Sequence, residues 1–252
     1  MGKPSVKALY AIIGQFSQGV FTLNKSCIVI PVFNNPATIE NVVYEALKTK
    51  STVIVVDDGS TPSVMLNIDE DEALVLIRHT ENRGKGEAIL TGGKMAKELG
   101  FGSFFVVDGD GQHYPHEIDN FIGKDMEKCI VIGCRRFTEN VPGSSKFGRR
   151  FSNFWIWSET GLHLDDTQSG FRSYPVGILE LPIEKRRYDF EIEVLVRHVW
   201  NGGCIEEVPI EVHYPRPEER VSHFDAFRDN ARLSKLHSRL FFKNMLRLIG
   251  IK

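Results

Sequence analysis

Cys27-Ile-Val-Ile-Pro-Val-Phe-Asn-Asn-Pro-Ala-Thr-Ile-Glu-Asn-Val-Val-Tyr-Glu-Ala-Leu-Lys48, followed closely by Thr52-Val-Ile-Val-Val-Asp57, decides the fold class of this chain. The first seven residues form a short apolar run rich in β-branched side chains, as a parallel strand buried on both faces requires. From Pro36 to about Lys48 the period changes to that of a helix, with Ile39, Val42, Val43, Ala46 and Leu47 on one face. Proline is tolerated at a helix start, where its missing N–H costs nothing. The second apolar run, 52–57, reads as another buried strand. Working outward, Ala73–Ile77, Ser103–Val107 and Cys129–Gly133 repeat the strand pattern, and Gly86–Leu99 reads as a helix that ends at Gly100. Alternation of this kind predicts an α/β fold with a doubly wound, mostly parallel central sheet flanked by helices.

The rhythm weakens after about residue 135, where the chain becomes aromatic, basic and rich in loops. One domain over 1–252 is expected, with an N-terminal extension (1–24), a nucleotide-binding half (25–135), an acceptor-side half (136–227) and a basic terminal helix (228–252). A formal net charge of -2 gives no reason to expect nucleic acid as a partner. Cys27, Cys129, Cys134 and Cys204 show no CxxC spacing and are expected to be reduced and structural. No run approaches the roughly 18–20 apolar residues of a membrane span. Lys3 and Lys7 precede only a short apolar stretch, and Val6 breaks the myristoylation pattern. A cytoplasmic location is expected.

In an open α/β sheet, ligands bind beyond the carboxyl ends of the strands. Polar loops stand there after each of the first four strands: Pro31–Asn35, Asp57–Thr61, Asn82–Gly86 and Asp108–His113. Asp108-Gly-Asp110 is the sharpest of them. Two carboxylates leave a strand end at a bend that glycine permits, offering hard oxygen ligands for Mg2+ or Mn2+ shared with substrate phosphates. Gln112 and His113 flank the pair. Asp57 and Asp58 read as a turn or as acceptors for nucleobase N–H groups. Asn82-Arg-Gly-Lys-Gly86 fails the dinucleotide fingerprint, since Ile89 replaces the third glycine, and no Walker loop is present. What remains is a cationic loop opening a helix, with Lys85 suited to an anion.

Together these motifs resemble family 2 glycosyltransferases of the GT-A fold, within them the dolichol/polyprenol-phosphate mannosyltransferase-like branch. The resemblance runs from about Cys27 to Phe224. It includes Gly133-Cys-Arg135, Asp166-Thr-Gln-Ser-Gly-Phe-Arg172, Tyr188-Asp-Phe-Glu191 and Glu207-Val-Pro-Ile210. It implies a metal-dependent, inverting transfer of a sugar from a GDP- or UDP-sugar to a lipid-linked, polyprenyl-phosphate-like or other membrane-proximal acceptor. Pro31, Phe33, Asp57 and Asp58 would hold the nucleotide, and Asp108, Asp110 and Gln112 would hold Mg2+ or Mn2+. Arg135 and Arg149 would meet anionic groups of donor or acceptor. Ser169 and Arg172 would form the acceptor loop, and Arg220, Ser222 and His223 would close over the diphosphate. His223 stands where that branch usually has lysine, and Asn35 where many relatives have glutamate.

Breaking a sugar–diphosphate bond builds negative charge on the leaving oxygen, which a divalent metal and arginines in a dry cleft neutralise. A lipid phosphate acceptor is already anionic, whereas a hydroxyl acceptor needs a base. Asp165, Asp166, Asp189 and Glu191 are the candidates for that base; Asp166 leads because it opens the Ser-Gly-Phe-Arg loop. Near the C-terminus, Lys235, Arg239, Lys243 and Arg247 recur every four residues beside Leu236, Leu240, Phe241, Leu246, Leu248 and Ile249. Such a helix either lies on an anionic bilayer at the inner face of the membrane or docks its apolar side on the domain. Two other readings compete: a sugar-nucleotidyltransferase, which would want a Gly-rich loop near residue 30, and an inactive nucleotide-sugar-binding module.

Overall fold

The structure, a computed structural model, describes residues 25–68, 73–135, 143–212 and 226–250, apart from the side chains of 143–147 and 226–230. Among the described residues the strands are β1 (Ser26–Val32), β2 (Val53–Asp57), β3 (Leu74–Arg78), β4 (Ser103–Val106), β5 (Cys129–Arg135), β6 (Arg172–Pro175) and β7 (Cys204–Ile210). They form one sheet in the order β3-β2-β1-β4-β6-β5-β7. β1, β2, β3 and β4 are mutually parallel, as are β5 and β7, while β6 runs antiparallel between β4 and β5. The helices are α1 (Ile39–Lys48), α2 (Lys85–Glu98), α3 (Gly143–Thr160), α4 (Phe190–Trp200) and α5 (Ala226–Leu248).

Every residue of β1 and β2 is buried, because helices cover both faces of the sheet. Alternate residues feed two cores. Cys27 and Val29 pack with Ile54, Val56, Ala88, Ile89 and Phe104 on one face. Ile28, Ile30 and Val32 pack with Val53, Val55 and the apolar stripe of α1 on the other. α2 carries Gly92 and Gly93 mid-helix, which on propensity costs about 1 kcal/mol each relative to alanine. The reason is proximity: a Cβ at Gly92 would land on the Val29 side chain, and one at Gly93 on the Phe104 ring.

Sequence and structure differ in three places. β6 and β7 were not legible as strands, because Arg-Ser-Tyr-Pro is short and polar and β7 carries Glu206, Glu207 and Pro209. The expectation of four reduced cysteines is corrected: Cys129 and Cys204 form a disulfide, leaving Cys27 and Cys134 free. Parallel pairing of β5 with β7 sets those two residues directly opposite one another, a proximity invisible to spacing rules. The basic stripe of α5 does not face outward as a whole. Arg239 pairs with Glu184 at 2.7 Å, Lys243 lies 3.7 Å from the same carboxylate, and Arg247 donates to the Trp200 carbonyl. Leu236 and Leu240 are buried, and His237 meets the buried Glu159 of α3 at 2.9 Å. The helix therefore docks on the domain. Among the described residues, no helix is long and apolar enough to cross a membrane.

Candidate active site

The C-terminal ends of β1, β2 and β4 and the start of α2 enclose an open cleft of about 390 Å³. The loop after β1 supplies Pro31, Phe33 and Asn35. Asn34 adopts a positive φ of 47° and ties this loop to the next: its N–H donates to Ser60 Oγ, and its Oδ1 accepts from the Thr61 N–H. The loop after β2 is held by its own aspartates. Asp57 accepts from the N–H groups of Ser60 and Val64 and from Arg78. Burial raises its affinity for a proton, but those hydrogen bonds outweigh it and keep its pKa below the ordinary value. Asp57, expected near the donor, does not line the cleft and is engaged in building its own loop.

Asp58 does line the cleft. It accepts from the N–H groups of Arg83 and Gly84 and lies 2.7 Å from His79 Nδ1. Three of the roughly four acceptor positions of a carboxylate are thus engaged in fixing the 82–84 loop. Gly84 at that point has φ 101°, and a Cβ there would strike the Arg186 carbonyl, so only glycine lets the loop turn into α2.

Asp108 and Asp110 leave β4 into the same cleft, with Gln112 beside them. Lys85 at the start of α2 reaches Asp108 Oδ1 at 2.7 Å and Glu191 at 3.0 Å. Burial would lift the Asp108 pKa, yet Lys85 above all, with the Arg172 charge, holds it below the usual range. Burial, with the neighbouring Asp108 charge, pushes Asp110 the other way, up to about 6. Burial also pushes His113 down to about 4, leaving a neutral imidazole within reach of the charges of Asp108, Arg135, Lys85 and Asp166. Among the described residues, no group of three or more His, Cys, Asp or Glu side chains is arranged to hold a metal unaided. A carboxylate pair facing an open cleft instead fits a hard divalent cation that completes its shell with substrate phosphate and water.

Beside the cleft lies a second cluster. Asp166 is fully buried; Arg135 grips both of its oxygens, at 2.7 and 2.8 Å, and Arg149 approaches at 3.1 Å. Burial alone would raise its pKa, but Arg135 and Arg149 outweigh burial and depress it. Glu207 on β7 accepts from the N–H groups of Asp165 and Asp166 and fixes that turn. Both oxygens of Asp166, expected to act as a general base, are engaged by guanidinium groups, and its proton affinity is lowered. It positions two arginines. Arg172 is likewise buried and donates to the carbonyls of Thr167, Ser169 and Glu191. Those three carbonyls occupy the guanidinium that was expected to serve the acceptor loop. Ser169 is fully buried as well, and Asp189, at the N-cap of α4, does not line the cleft. Arg220, Ser222 and His223 lie outside the described residues.

Asn82, Arg187 and Tyr188 line the cleft without having been assigned a role from sequence. The available signal was an arginine–aromatic pair directly before an acidic helix start.

The family model for "Glycosyl transferase family 2" matches residues 27–181, more than half of the chain, including every cleft-lining residue except Arg187 and Tyr188. The chain belongs to glycosyl transferase family 2. A UDP-N-acetylglucosamine–dolichyl-phosphate N-acetylglucosaminyltransferase of Methanococcus voltae is 30% identical to this glycosyltransferase over 213 residues, covering 74% of this chain and 85% of that protein. A polyprenol monophosphomannose synthase of Mycolicibacterium smegmatis is 28% identical over 211 residues, covering 74% and 76%. Among solved structures, glucosyl-3-phosphoglycerate synthase of Mycobacterium tuberculosis, in complex with Mn2+, UDP and phosphoglyceric acid, superposes with a TM-score of 0.58 at 17% identity. The alignment covers all of this chain and 85% of that one. The family 2 enzyme thus has the GT-A architecture.

Proposed function

We propose that this glycosyltransferase moves a sugar, with inversion, from a UDP- or GDP-sugar to the phosphate of a polyprenyl-type lipid. The observation that carries this reading is the composition of the cleft wall. Its carboxylates are Asp58, Asp108 and Asp110. The first is spent on the 82–84 loop and the other two form the cation-binding pair, so among the described residues of the wall no carboxylate is left to take a proton from a hydroxyl. An acceptor that arrives as an anion needs no such base. Names of relatives near 30% identity, which specify dolichyl- and polyprenyl-phosphate acceptors, support the same choice.

In this mechanism Pro31 and Phe33 would pack on the nucleobase, and Asp108, Asp110 and Gln112 would hold Mg2+ or Mn2+. Such a cation supplies charge neutralisation at the departing diphosphate. Lys85 and Arg187 add positive charge along the wall, while the part-exposed Arg135, oriented by Asp166 with Arg149 behind it, would meet the acceptor phosphate. The test is transfer from a panel of UDP- and GDP-sugars to a short polyprenyl phosphate with Mn2+ present. Transfer to free hydroxyl acceptors but not to lipid phosphate would defeat the reading.

The pKa of about 6 for Asp110 sets a pH dependence. Metal binds the ionised carboxylate, so below about pH 6 each unit of acidification should weaken Mn2+ binding to the nucleotide-free protein by about tenfold. Titration followed by the free Mn2+ resonance checks this; affinity constant from pH 7 down to pH 5 would contradict it.

A peripheral membrane contact belongs to the same proposal, but not through the basic stripe. Phe151, Phe154 and Trp157 of α3 and Phe242, Met245, Leu246 and Leu248 of α5 are exposed, with Ile249 just beyond. Ring contacts run from Trp157 through Phe154, Trp155 and Phe241 to Phe242, so the two helices present one apolar strip. Arg149 lies on the same α3, which sets an acceptor phosphate and an acyl surface on neighbouring sides of one helix. Phe154→Ser with Phe242→Ser should lower co-sedimentation with anionic vesicles at least fivefold; unchanged co-sedimentation would remove the strip from the account.

A further inference from the structure

Lys85 is the first residue of α2, with a side chain only 17% exposed, and it stands between two acids. Its ammonium contacts Asp108 Oδ1 at 2.7 Å and Glu191 Oε1 at 3.0 Å. The other oxygen of Asp108 lies against Gly170, where a Cβ would strike Oδ2. The lysine thus sits on one oxygen of a carboxylate that is only 20% exposed, and its charge opposes any second cation there. Among the described residues Asp110 has no ion-pair partner, and its Oδ1 accepts from the Gln112 N–H.

We infer that Lys85 is a resident counter-cation of the metal site, displaced from Asp108 when a divalent ion enters and retained in the cleft by Glu191. The inference rests on the metal role proposed above for Asp108 and Asp110, and it deepens that role. Asp108, largely sealed from water, would be an uncompensated buried charge in the metal-free protein without a cation against it. A lysine suits the task because its ammonium is a compact point charge on a flexible stem, able to let go of one oxygen while keeping another. Glu191 supplies that second hold at the first turn of α4.

The displaced ammonium lies in the same cleft that would receive the diphosphate, so nucleotide gives it a new anionic partner. Metal alone must compete with Lys85; metal with nucleotide diphosphate need not. The two ligands are thereby linked, each raising affinity for the other.

The experiment is Mn2+ titration of the full chain at pH 8, by calorimetry and by the free Mn2+ resonance, with and without UDP or GDP. Without nucleotide, K85M should bind Mn2+ at least about tenfold more tightly than the unaltered protein. R187Q removes a positive charge from the same wall, where Arg187 contacts Asn82 at 3.3 Å rather than Asp108, and should change affinity by less than about threefold. The enhancement of Mn2+ affinity by nucleotide should shrink in K85M. Mn2+ should also raise the melting temperature of K85M more than that of the unaltered chain, and K85Q gives the same readouts if K85M does not fold. Equal tightening in K85M and R187Q, or no tightening in K85M, overturns the displacement while leaving the metal reading intact. Absence of Mn2+ binding in every variant, with and without nucleotide, overturns the metal reading and the inference with it.

Discussion

Asp108→Ala is expected to lower kcat/KM by about three orders of magnitude, the range found when a main electrostatic contact to a developing negative charge is removed. The carboxylate lines the cleft at the end of β4 and carries the charge that Lys85 now balances. Asp110→Ala should follow in the same direction by a smaller factor, since Asp110 holds its proton up to about pH 6 in the metal-free protein. The fold should survive, because Lys85 keeps Glu191 as a partner at 3.0 Å. Steady-state transfer at several Mn2+ concentrations measures the effect. A loss below tenfold at saturating metal would place the essential cation elsewhere.

Asp166→Ala should act first on stability. It would remove the buried carboxylate that Arg149 and the part-exposed Arg135 share, and loss of one partner from a buried cluster costs about 3–5 kcal/mol. Asp166→Asn keeps an acceptor oxygen and the shape, and should cost less. Chemical denaturation of both variants separates this role from that of a base. A base would leave the unfolding midpoint in place while abolishing turnover at hydroxyl acceptors; a clamp holder would shift the midpoint and weaken acceptor binding. An Asp166→Ala protein as stable as the parent would return the residue to the catalytic candidates.

The donor side of the cleft was legible because parallel strands announce themselves. Runs such as Val53–Val56 are apolar throughout, and their C-terminal ends are the places where a ligand must bind. Pro31, Phe33, Asp58, Lys85, Asp108, Asp110 and Gln112 were found by that rule, and the structure gathers them into one wall. The other half obeyed no such rule. Asp166 and Arg172 stand in a polar loop that reads as reactive, yet burial turns their charges inward, to guanidinium groups and to backbone carbonyls. Sequence states which groups carry charge; only packing states where that charge is already used. The same limit hid the Cys129–Cys204 bond, which depends on β7 lying beside β5 across 75 residues of chain. It also left two readings of α5 open, between which the pairing of Arg239 with Glu184 favours docking on the domain.

The placement of β6 bears on how such enzymes can be recombined. Because the strand at 172–175 is laced between β4 and β5, a segment late in the chain completes the middle of the sheet begun by its first hundred residues. A chimera joined near residue 135, the natural seam by sequence, would ask a foreign strand to fit against Phe104 and Val106. Crossover points that keep 103–106 and 172–175 from the same parent, and exchange only surface loops around them, are the ones that should yield folded hybrids with altered acceptor choice.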